Sequence, residues 1–235
     1  MKGHVPIILA GGLGTRLAGT IPGLPKVLVP VLGRPFLTFL FDRLIAAGFG
    51  RVVLSVGFRS AQVEAAFGAR YHNLYLHYVA ESEPLGTGGA LRLAAEATED
   101  ESCLVLNGDS YCDVDLLDFL CWREERPEPV AMVLAEVPDV ARYGSVDLAA
   151  NGRIVRFREK ATRTGAGWIN AGIYSVPTAT VRTLPVHHRC SLEHEAFPEW
   201  LASGMVGYMA GRTFIDIGTP ESYAAAEAFF LSGHP

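Results

Sequence analysis

Short apolar runs alternate with helix-like segments along the first half of the chain. The runs are rich in Val, Ile and Leu, which is typical of strands buried in a parallel sheet. They occupy residues 5–10, 51–57, 74–79 and 103–106. The segments of helical character that separate them are residues 36–47, 60–67 and 88–97. This alternation predicts a doubly wound, mostly parallel sheet that is covered by helices.

The second half of the chain has more strand signals and fewer helices. Its predicted strands are residues 130–136, 145–148, 154–158, 169–176, 205–210 and 213–217, and its predicted helices are residues 116–123, 192–202 and 221–231. Asn151-Gly152 predicts a hairpin turn, and Thr219-Pro220 predicts the start of the last helix. We therefore expect a three-layer α/β/α sandwich with a Rossmann-like, mostly parallel mixed sheet. Because no linker or repeat interrupts the chain, we expect a single domain over residues 1–235.

Composition and charge exclude several classes of protein. Of the 235 residues, 49% are hydrophobic and 19% are charged, which is too apolar for a disordered chain. The net charge of −5 argues against a general nucleic-acid binder, which is normally basic. No apolar stretch reaches about 18 residues and no signal peptide is recognisable, so we expect no membrane association. The four cysteines form no CxxC pair, which favours reduced thiols and a cytoplasmic protein.

A glycine-rich loop follows the first predicted strand. Gly11, Gly12 and Gly14 would let the backbone approach a phosphate closely, so that its N–H groups point at the oxygens. Arg16 adds a fork-shaped cation that suits phosphate. The loop has neither the P-loop ending nor the third glycine of GxGxxG. A tight turn from a strand to a helix would use the same glycines, so both interpretations stay open.

Two further segments have residues that suit a ligand. Lys26 follows Pro22-Gly23-Leu24-Pro25, and the prolines would stiffen the loop and aim this lysine, although an ordinary surface lysine fits as well. Residues 81–90 read ESEPLGTGGA and lead from a strand into a helix. The N–H groups that start this helix would then face the carboxyl ends of the strands, where ligands bind in open α/β sheets.

Two aspartates lie at predicted strand ends. Asp109 follows the buried run that ends at Asn107-Gly108, and Asp216 lies among apolar residues just before the last helix. Mg²⁺ is held in proteins by one or two carboxylates together with phosphate oxygens, so both aspartates are candidate Mg²⁺ ligands. A turn or helix-capping aspartate is the alternative for Asp109.

These segments together resemble one family. GGLGTRL, the PK of residues 25–26, EPLGTGGA, NGDS, the EK of residues 159–160, INAGIY and DIGTP occur in the order found in the sugar-1-phosphate nucleotidyltransferases, the nucleotidyl transferase family of NDP-sugar pyrophosphorylases. The resemblance extends from Ile7 to about Phe229. It implies binding of a nucleoside triphosphate and a sugar 1-phosphate, with Mg²⁺ as cofactor.

The resemblance also implies a role for each matching residue. It makes Arg16 and Lys26 catalytic, and makes Asp109 and Asp216 the ligands of Mg²⁺. The implied nucleotide-binding residues are Leu9, Ala10, Gly11, Gly12, Gly14, Thr15, Glu81, Pro84, Leu85, Gly86 and Thr87. The implied sugar-phosphate-binding residues are Asn107, Tyr143, Gly144, Glu159, Lys160, Asn170 and Gly172. Without the resemblance, Glu159 and Lys160 would be interpreted as a solvated charge pair. Residues 1–112 would form the nucleotide-binding half and residues 113–235 the sugar-phosphate-binding half, with no C-terminal β-helix domain.

The base and the sugar are harder to predict. The two oxygens of Glu81 match the N1–H and N2–H₂ donors of guanine, which favours GTP, although a uridylyl transferase could use backbone donors instead. Within the family, the motifs most resemble the branch that acts on D-glycero-α-D-manno-heptose 1-phosphate. Mannose 1-phosphate guanylyl transfer is the nearest alternative, followed by uridylyl or thymidylyl transfer to another hexose 1-phosphate. A non-catalytic nucleotide-sugar sensor and a homo-oligomer also stay open.

Overall fold

A computed structural model of the protein describes residues 3–12, 23–57, 59–158, 164–211 and 213–233. Its strands are β1 (His4–Leu9), β2 (Pro30–Val31), β3 (Arg34–Pro35), β4 (Arg51–Val56), β5 (Arg70–Tyr71), β6 (Leu74–Ala80), β7 (Ser102–Asn107), β8 (Ser110–Cys112), β9 (Val130–Val137), β10 (Ser145–Leu148), β11 (Ile154–Arg158), β12 (Gly167–Pro177), β13 (Met205–Met209) and β14 (Phe214–Asp216). Its α-helices are α1 (Leu37–Ala46), α2 (Ser60–Phe67), α3 (Gly86–Ala94), α4 (Leu116–Glu124), α5 (Thr178–Val181), α6 (Phe197–Ser203) and α7 (Pro220–Leu231).

The main sheet is mixed. Within the described residues it has eight strands in the order β13-β9-β12-β7-β1-β4-β6-β5. Strands β7, β1, β4 and β6 run parallel to one another, and β13 runs parallel to β9. Strand β12 is antiparallel to both of its neighbours, and the short β5 is antiparallel to β6. The continuous apolar runs of the first half therefore form the parallel part of the sheet, as predicted.

Helices cover both faces of this sheet. Successive side chains of a strand point to opposite faces, so β1 places Ile8 in one apolar core and Val5 and Ile7 in the other. The core around Ile8 includes residues of α1, α2, α4 and α7, and the other core includes residues of α3, α5 and α6. The predicted three-layer α/β/α architecture is confirmed.

One predicted helix is divided in the structure. Residues 192–202 were expected to form one helix, but the chain forms a π-helical turn over Leu192–Ala196 and then α6. The cause is Pro198, which has no N–H to continue the hydrogen-bond ladder of a preceding helix but is favourable in a first turn. The predicted start of α7 is confirmed, since Thr219 and Ser222 form a capping box and Pro220 follows Thr219. Among the described helices, none is long and apolar enough to cross a membrane.

A small two-stranded sheet brings the two halves of the chain together beside the main sheet. Strands β8 and β14 pair antiparallel, with Asp216 opposite Ser110. The N–H of Ile217 donates to the carbonyl oxygen of Asp109 at 2.9 Å. Two aspartates that are more than one hundred residues apart in the sequence are therefore neighbours at one edge of the fold.

Candidate active site

A cavity of about 480 Å³ opens at the carboxyl ends of the parallel strands, where open α/β sheets bind their ligands. It is lined by Leu9, Ala10, Gly11, Gly12, Lys26, Val27, Gly57, Glu81, Ser82, Glu83, Pro84, Gly86, Thr87, Ala90, Asn107, Asp109, Arg189 and Glu193. Of the described nucleotide-binding candidates, all but Leu85 line this cavity. The side chain of Leu85 is buried beneath the cavity wall.

Gly11 and Gly57 allow two strand ends and a side chain to pack closely. A Cβ atom on Gly11 would lie 2.6 Å from Oε1 of Glu81, and a Cβ atom on Gly57 would lie 2.6 Å from the carbonyl oxygen of Gly11. Any other residue at either position would displace its neighbour. Gly11 therefore has a packing role here, which the sequence left undecided between a turn and a phosphate contact.

Glu81 presents an acceptor at the cavity wall. Its Oε2 accepts from the N–H of Leu85 at 2.8 Å, and its Oε1 lies beside Gly11. Burial raises the pKa of Glu81, and the bond from Leu85 opposes that shift in the pKa. The carboxyl group is thus held in place by the main chain while it still lines the cavity.

The start of α3 packs against residues 188–190. The carbonyl oxygen of Cys190 accepts from the N–H groups of Gly88 at 2.9 Å and Gly89 at 3.3 Å. The N–H of Cys190 donates in return to the carbonyl oxygen of Leu85 at 2.8 Å. A Cβ atom on Gly86 would lie 2.6 Å from the Cys190 oxygen. The glycines of GTGG are therefore needed for this contact, and the N–H groups of Gly88 and Gly89 are used within the protein.

Arg189 and Glu193 were not predicted from the sequence, although both line the cavity. The hydroxyl group of Thr87 donates to Oε2 of Glu193 at 3.0 Å and accepts from the N–H of Leu192 at 2.8 Å. These bonds join the first turn of α3 to a segment about one hundred residues later in the chain. In the sequence, only the three glycines at the start of α3 indicated that another segment of backbone would pack closely against this helix.

Lys26 and Asp109 form an ion pair in the cavity. Nζ of Lys26 lies 2.5 Å from Oδ2 of Asp109, and the side chains are 11% and 44% exposed. Lys26 begins a 3₁₀ turn over Lys26–Leu28, directly after Pro25. The turn aims the lysine inward, so the interpretation as an ordinary surface lysine is wrong.

Asp216 lies beside this pair and is held from two sides. Its Oδ1 accepts from the N–H of Gly218 at 2.6 Å and from Oγ of Ser222 at 3.2 Å. Its Oδ2 accepts from Nη2 of Arg142 at 3.0 Å. A Cβ atom on Gly218 would lie 2.5 Å from Oδ1 of Asp216 and 3.5 Å from Nζ of Lys26, so Gly218 is a neighbour of both Asp216 and the lysine.

The two aspartates suit Mg²⁺ better than a transition metal. Both offer carboxylate oxygens, the hard ligands that Mg²⁺ prefers, and Mg²⁺ completes its shell with water and substrate phosphates. Within the described part of the chain, no group of three or more His, Cys, Asp or Glu side chains is placed to hold a metal ion by itself. The donor set therefore fits a Mg²⁺ ion that arrives with a phosphate ligand.

The sugar-side candidates from β7 and β12 form one hydrogen-bonded cluster. Nδ2 of Asn170 donates to the hydroxyl oxygen of Tyr174 at 2.8 Å, and Oδ1 of Asn170 accepts from the N–H of Gly172 at 2.8 Å. Gly172 has a φ angle of +78°, and a Cβ atom there would lie 2.6 Å from Oγ of Ser110 and 2.9 Å from Nδ2 of Asn107. Asn107, Asn170 and Gly172 are therefore neighbours, as required of one subsite. The buried Tyr174 was not among the predicted site residues.

Tyr143 and Gly144 lie on the other side of Asp216. The ring of Tyr143 packs edge-on against Phe214 with centroids 5.6 Å apart. Burial and the nearby carboxylate of Asp216 raise the pKa of Tyr143 to about 12. Arg142, which directly precedes Tyr143, was not among the predicted site residues, although it contacts Asp216 directly.

Five predicted site residues lie outside the described residues. They are Gly14, Thr15, Arg16, Glu159 and Lys160. Their assigned roles stay predictions.

The fold and this cavity define an α/β protein with a candidate ligand site at the carboxyl ends of its parallel strands. Residues 5–233 match the family described as Nucleotidyl transferase, and the chain belongs to that family. The resemblance recognised in the sequence is therefore confirmed.

Three named proteins are similar to this chain. D-glycero-alpha-D-manno-heptose 1-phosphate guanylyltransferase of Aneurinibacillus thermoaerophilus is 34% identical over 94% of this chain and 96% of its own length. Mannose-1-phosphate guanylyltransferase of Mycobacterium tuberculosis is 34% identical over 97% of this chain but only 64% of its own length, so this chain spans less than two thirds of that relative. The crystal structure of HddC from Yersinia pseudotuberculosis complexed with GMP-PN is 34% identical, with a TM-score of 0.83 over 96% of this chain and 98% of that one.

Proposed function

We propose that this protein transfers GMP from GTP to D-glycero-α-D-manno-heptose 1-phosphate and releases pyrophosphate. The main supporting observation is the cavity itself, where Glu81 lines one wall and Lys26 and Asp109 line another. The similar protein from A. thermoaerophilus has this activity in its name and matches this chain over nearly its whole length.

Glu81 is proposed to bind the guanine base. A carboxylate only accepts hydrogen bonds, and its two oxygens suit the N1–H and N2–H₂ donors of guanine. Its Oε2 is anchored by Leu85 and still has a second lone pair, so the group is oriented before the base arrives. The solved HddC structure, which is titled as a complex with GMP-PN, supports a guanine nucleotide as the ligand.

Cations and main-chain N–H groups are proposed to bind the triphosphate. Lys26 and Arg189 both line the cavity, and Gly11 and Gly12 lie at its floor after β1. Arg16 is proposed to add a third cation. This arrangement explains how an acidic chain can handle a polyphosphate, because a few placed donors replace a basic surface.

Asp109 and Asp216 are proposed to hold Mg²⁺, which when bound would neutralise charge on the phosphates. Lys26 pairs with Asp109 and would stabilise the charge that develops at the α-phosphate. A phosphate oxygen of the sugar 1-phosphate forms a bond to the α-phosphorus, and the bond from that phosphorus to the pyrophosphate oxygen breaks. Because the nucleophile is already an anion, the protein has to position and stabilise rather than to remove a proton.

The sugar 1-phosphate is proposed to bind beside the cavity, between Asn107, Asn170 and Gly172 on one side and Tyr143 and Gly144 on the other. Glu159 is proposed to contact the sugar hydroxyls and Lys160 the sugar phosphate. Residues 1–112 would then serve the nucleotide and residues 113–235 the sugar phosphate.

A cytoplasmic location fits the thiols of the protein. Cys103, Cys112, Cys121 and Cys190 are all free, and all but Cys121 are buried. Such thiols persist where disulfides do not form. A homo-oligomer stays a prediction.

The test is a matrix of nucleoside triphosphates against sugar 1-phosphates, read by pyrophosphate release with Mg²⁺. We expect the highest kcat/KM for GTP with D-glycero-α-D-manno-heptose 1-phosphate. A higher value with mannose 1-phosphate would favour the activity named for the mycobacterial relative. Binding of GTP without pyrophosphate release for any sugar 1-phosphate would contradict the proposal and favour a sensor.

Substitution of the two proposed metal ligands tests the metal assignment. Asp109→Asn and Asp216→Asn should each lower kcat/KM by about a hundredfold or more, since a metal contributes several kcal/mol of charge stabilisation. Activity that survives both substitutions would contradict the metal assignment.

A further inference from the structure

Asp216 has two unlike sets of partners. Oδ1 is fixed by the N–H of Gly218 and by Ser222, which belong to the same turn and helix start. Nη2 of Arg142, which comes from a separate element, donates to Oδ2 at 3.0 Å and lies farther from Oδ1, at 3.4 Å. The first set orients the carboxylate, and the second neutralises its charge.

Arg142 is the more exposed member of this ion pair. The arginine ends the 3₁₀ turn Val140–Arg142, and its side chain is 45% exposed, compared with 16% for Asp216. The guanidinium group lies 5.0 Å from the centre of the Tyr143 ring, at the edge of the fold. A rotation of the arginine side chain into solvent would expose Oδ2 and leave the bonds from Gly218 and Ser222 to Oδ1 intact.

We propose that Arg142 is the counter-ion of Asp216 in the metal-free protein and competes with a divalent cation for Oδ2. The proposal rests on the proposed function, because it takes Asp216 as a metal ligand. A Mg²⁺ ion would lie about 2.1 Å from its carboxylate oxygen, and a guanidinium group at 3.0 Å from the same oxygen would repel it. Metal binding at Asp216 therefore requires Arg142 to move away.

This competition gives Arg142 a positioning role near the sugar side. Because Tyr143 and Gly144 follow it directly in the chain, displacement of Arg142 by a metal would couple the metal state to the segment proposed to bind the sugar. The released guanidinium group would also be available to an incoming phosphate, for which its planar fork is well suited.

The test is a Mn²⁺ titration of the protein without nucleotide, with free Mn²⁺ measured by electron paramagnetic resonance. We expect Arg142→Gln and Arg142→Ala to bind Mn²⁺ about threefold to tenfold more tightly than the unchanged protein, the range of a partly exposed ion pair. Arg142→Lys should restore the weaker binding, because it keeps the cation. Asp216→Asn added to Arg142→Gln should remove the gain.

Arg51→Gln is the matched control. Arg51 also pairs with an aspartate that is 16% exposed, Asp100, but it lies at the start of β4, the end of the sheet opposite the cavity. Equal Mn²⁺ affinities for Arg142→Gln and the unchanged protein, including no measurable binding by either, would overturn the proposal. So would an equal gain in Arg51→Gln, which would make net charge the cause. Failure of the proposed function is separate, since it appears as no pyrophosphate release by the unchanged protein.

Discussion

Two regions in and beside the cavity are held together in different ways. The first, which we call the glycine wall, contains Glu81, Leu85, Gly86 and Cys190, and main-chain hydrogen bonds and close backbone contacts hold it. The second, which we call the charged corner, pairs Lys26 with Asp109 and Arg142 with Asp216. Main-chain contacts have one geometry, whereas ion pairs at the surface can exchange partners. The glycine wall is therefore suited to fixed recognition and the charged corner to binding of ions and phosphates that come and go.

The strongest way to break the glycine wall is to add a methyl group where it touches residues 188–190. Gly86→Ala places a Cβ atom 2.6 Å from the Cys190 oxygen at a φ angle of +72°. We expect a loss of about 2–5 kcal/mol in the free energy of unfolding, from backbone strain and overpacking together. Urea denaturation measures it.

Gly48→Ala separates the two causes. Gly48 has a similar φ angle of +78°, but a Cβ atom there would meet no atom within 4 Å. It should therefore lose only the strain part, about 1–2 kcal/mol. Equal losses in the two variants would mean that the contact with Cys190 adds nothing to the rigidity of the wall.

A change of one atom type in the glycine wall should alter the choice of base. Glu81→Gln replaces one acceptor oxygen by an N–H₂ donor. Guanine presents two donors to this side chain, whereas uracil presents one N–H donor and carbonyl acceptors. We expect kcat/KM with GTP to fall about tenfold to a hundredfold, because the new amide N–H₂ group would meet a guanine N–H donor and both would be left unpaired. The ratio of GTP to UTP turnover is the measurement, and an unchanged ratio would place base selection elsewhere.

Sequence reasoning succeeded where a residue acts through its own chain segment. The apolar runs predicted the sheet, and the motifs around Lys26, Glu81, Asp109 and Asp216 placed most candidates at one edge. It failed for Arg189, because that residue reaches the cavity only through a backbone contact with α3, from a segment that no local pattern assigns to a ligand.

The same limit explains two other missed residues. Arg142 contacts Asp216, which is distant in the sequence, and Tyr174 contacts Asn170 within β12, where the register against β9 is irregular. Strand pairing between β8 and β14, or the irregular register of β12 on β9, is set by the whole fold. A sequence pattern can predict a strand, but it does not show which side chains of other elements will lie next to that strand.

Protonation offers a second way to alter the glycine wall without a substitution. Burial raises the pKa of Glu81, so as the pH falls this carboxyl group takes up a proton earlier than an exposed glutamate. The affinity for GTP should therefore fall on the acid side, and Glu81→Gln should lack this pH dependence. The measurement is the Kd of GTP against pH at constant ionic strength.

The sign for folding is opposite to the sign for binding. A carboxyl group whose pKa is raised in the folded state adds stability when protonated, and that contribution is lost as the pH rises through the folded pKa. Acidification through the raised pKa should thus weaken GTP binding while Glu81 favours the folded protein. A fall in the Glu81-dependent part of stability on acidification would mean that the pKa of Glu81 is not raised. A GTP affinity that did not change with pH would mean that the base contact does not depend on the ionised form.

The smallest effect belongs to a side-chain contact between α3 and the segment that packs on it. The hydroxyl group of Thr87 bonds Glu193 and the N–H of Leu192, and Thr87→Val removes both bonds with little change in shape. We expect Thr87→Val to lose about 0.5–1.5 kcal/mol in the free energy of unfolding. Thr87→Ser keeps the hydroxyl group and should therefore keep most of that stability. A loss in Thr87→Val as large as that in Gly86→Ala would mean that side chains, rather than close backbone contacts, hold the glycine wall.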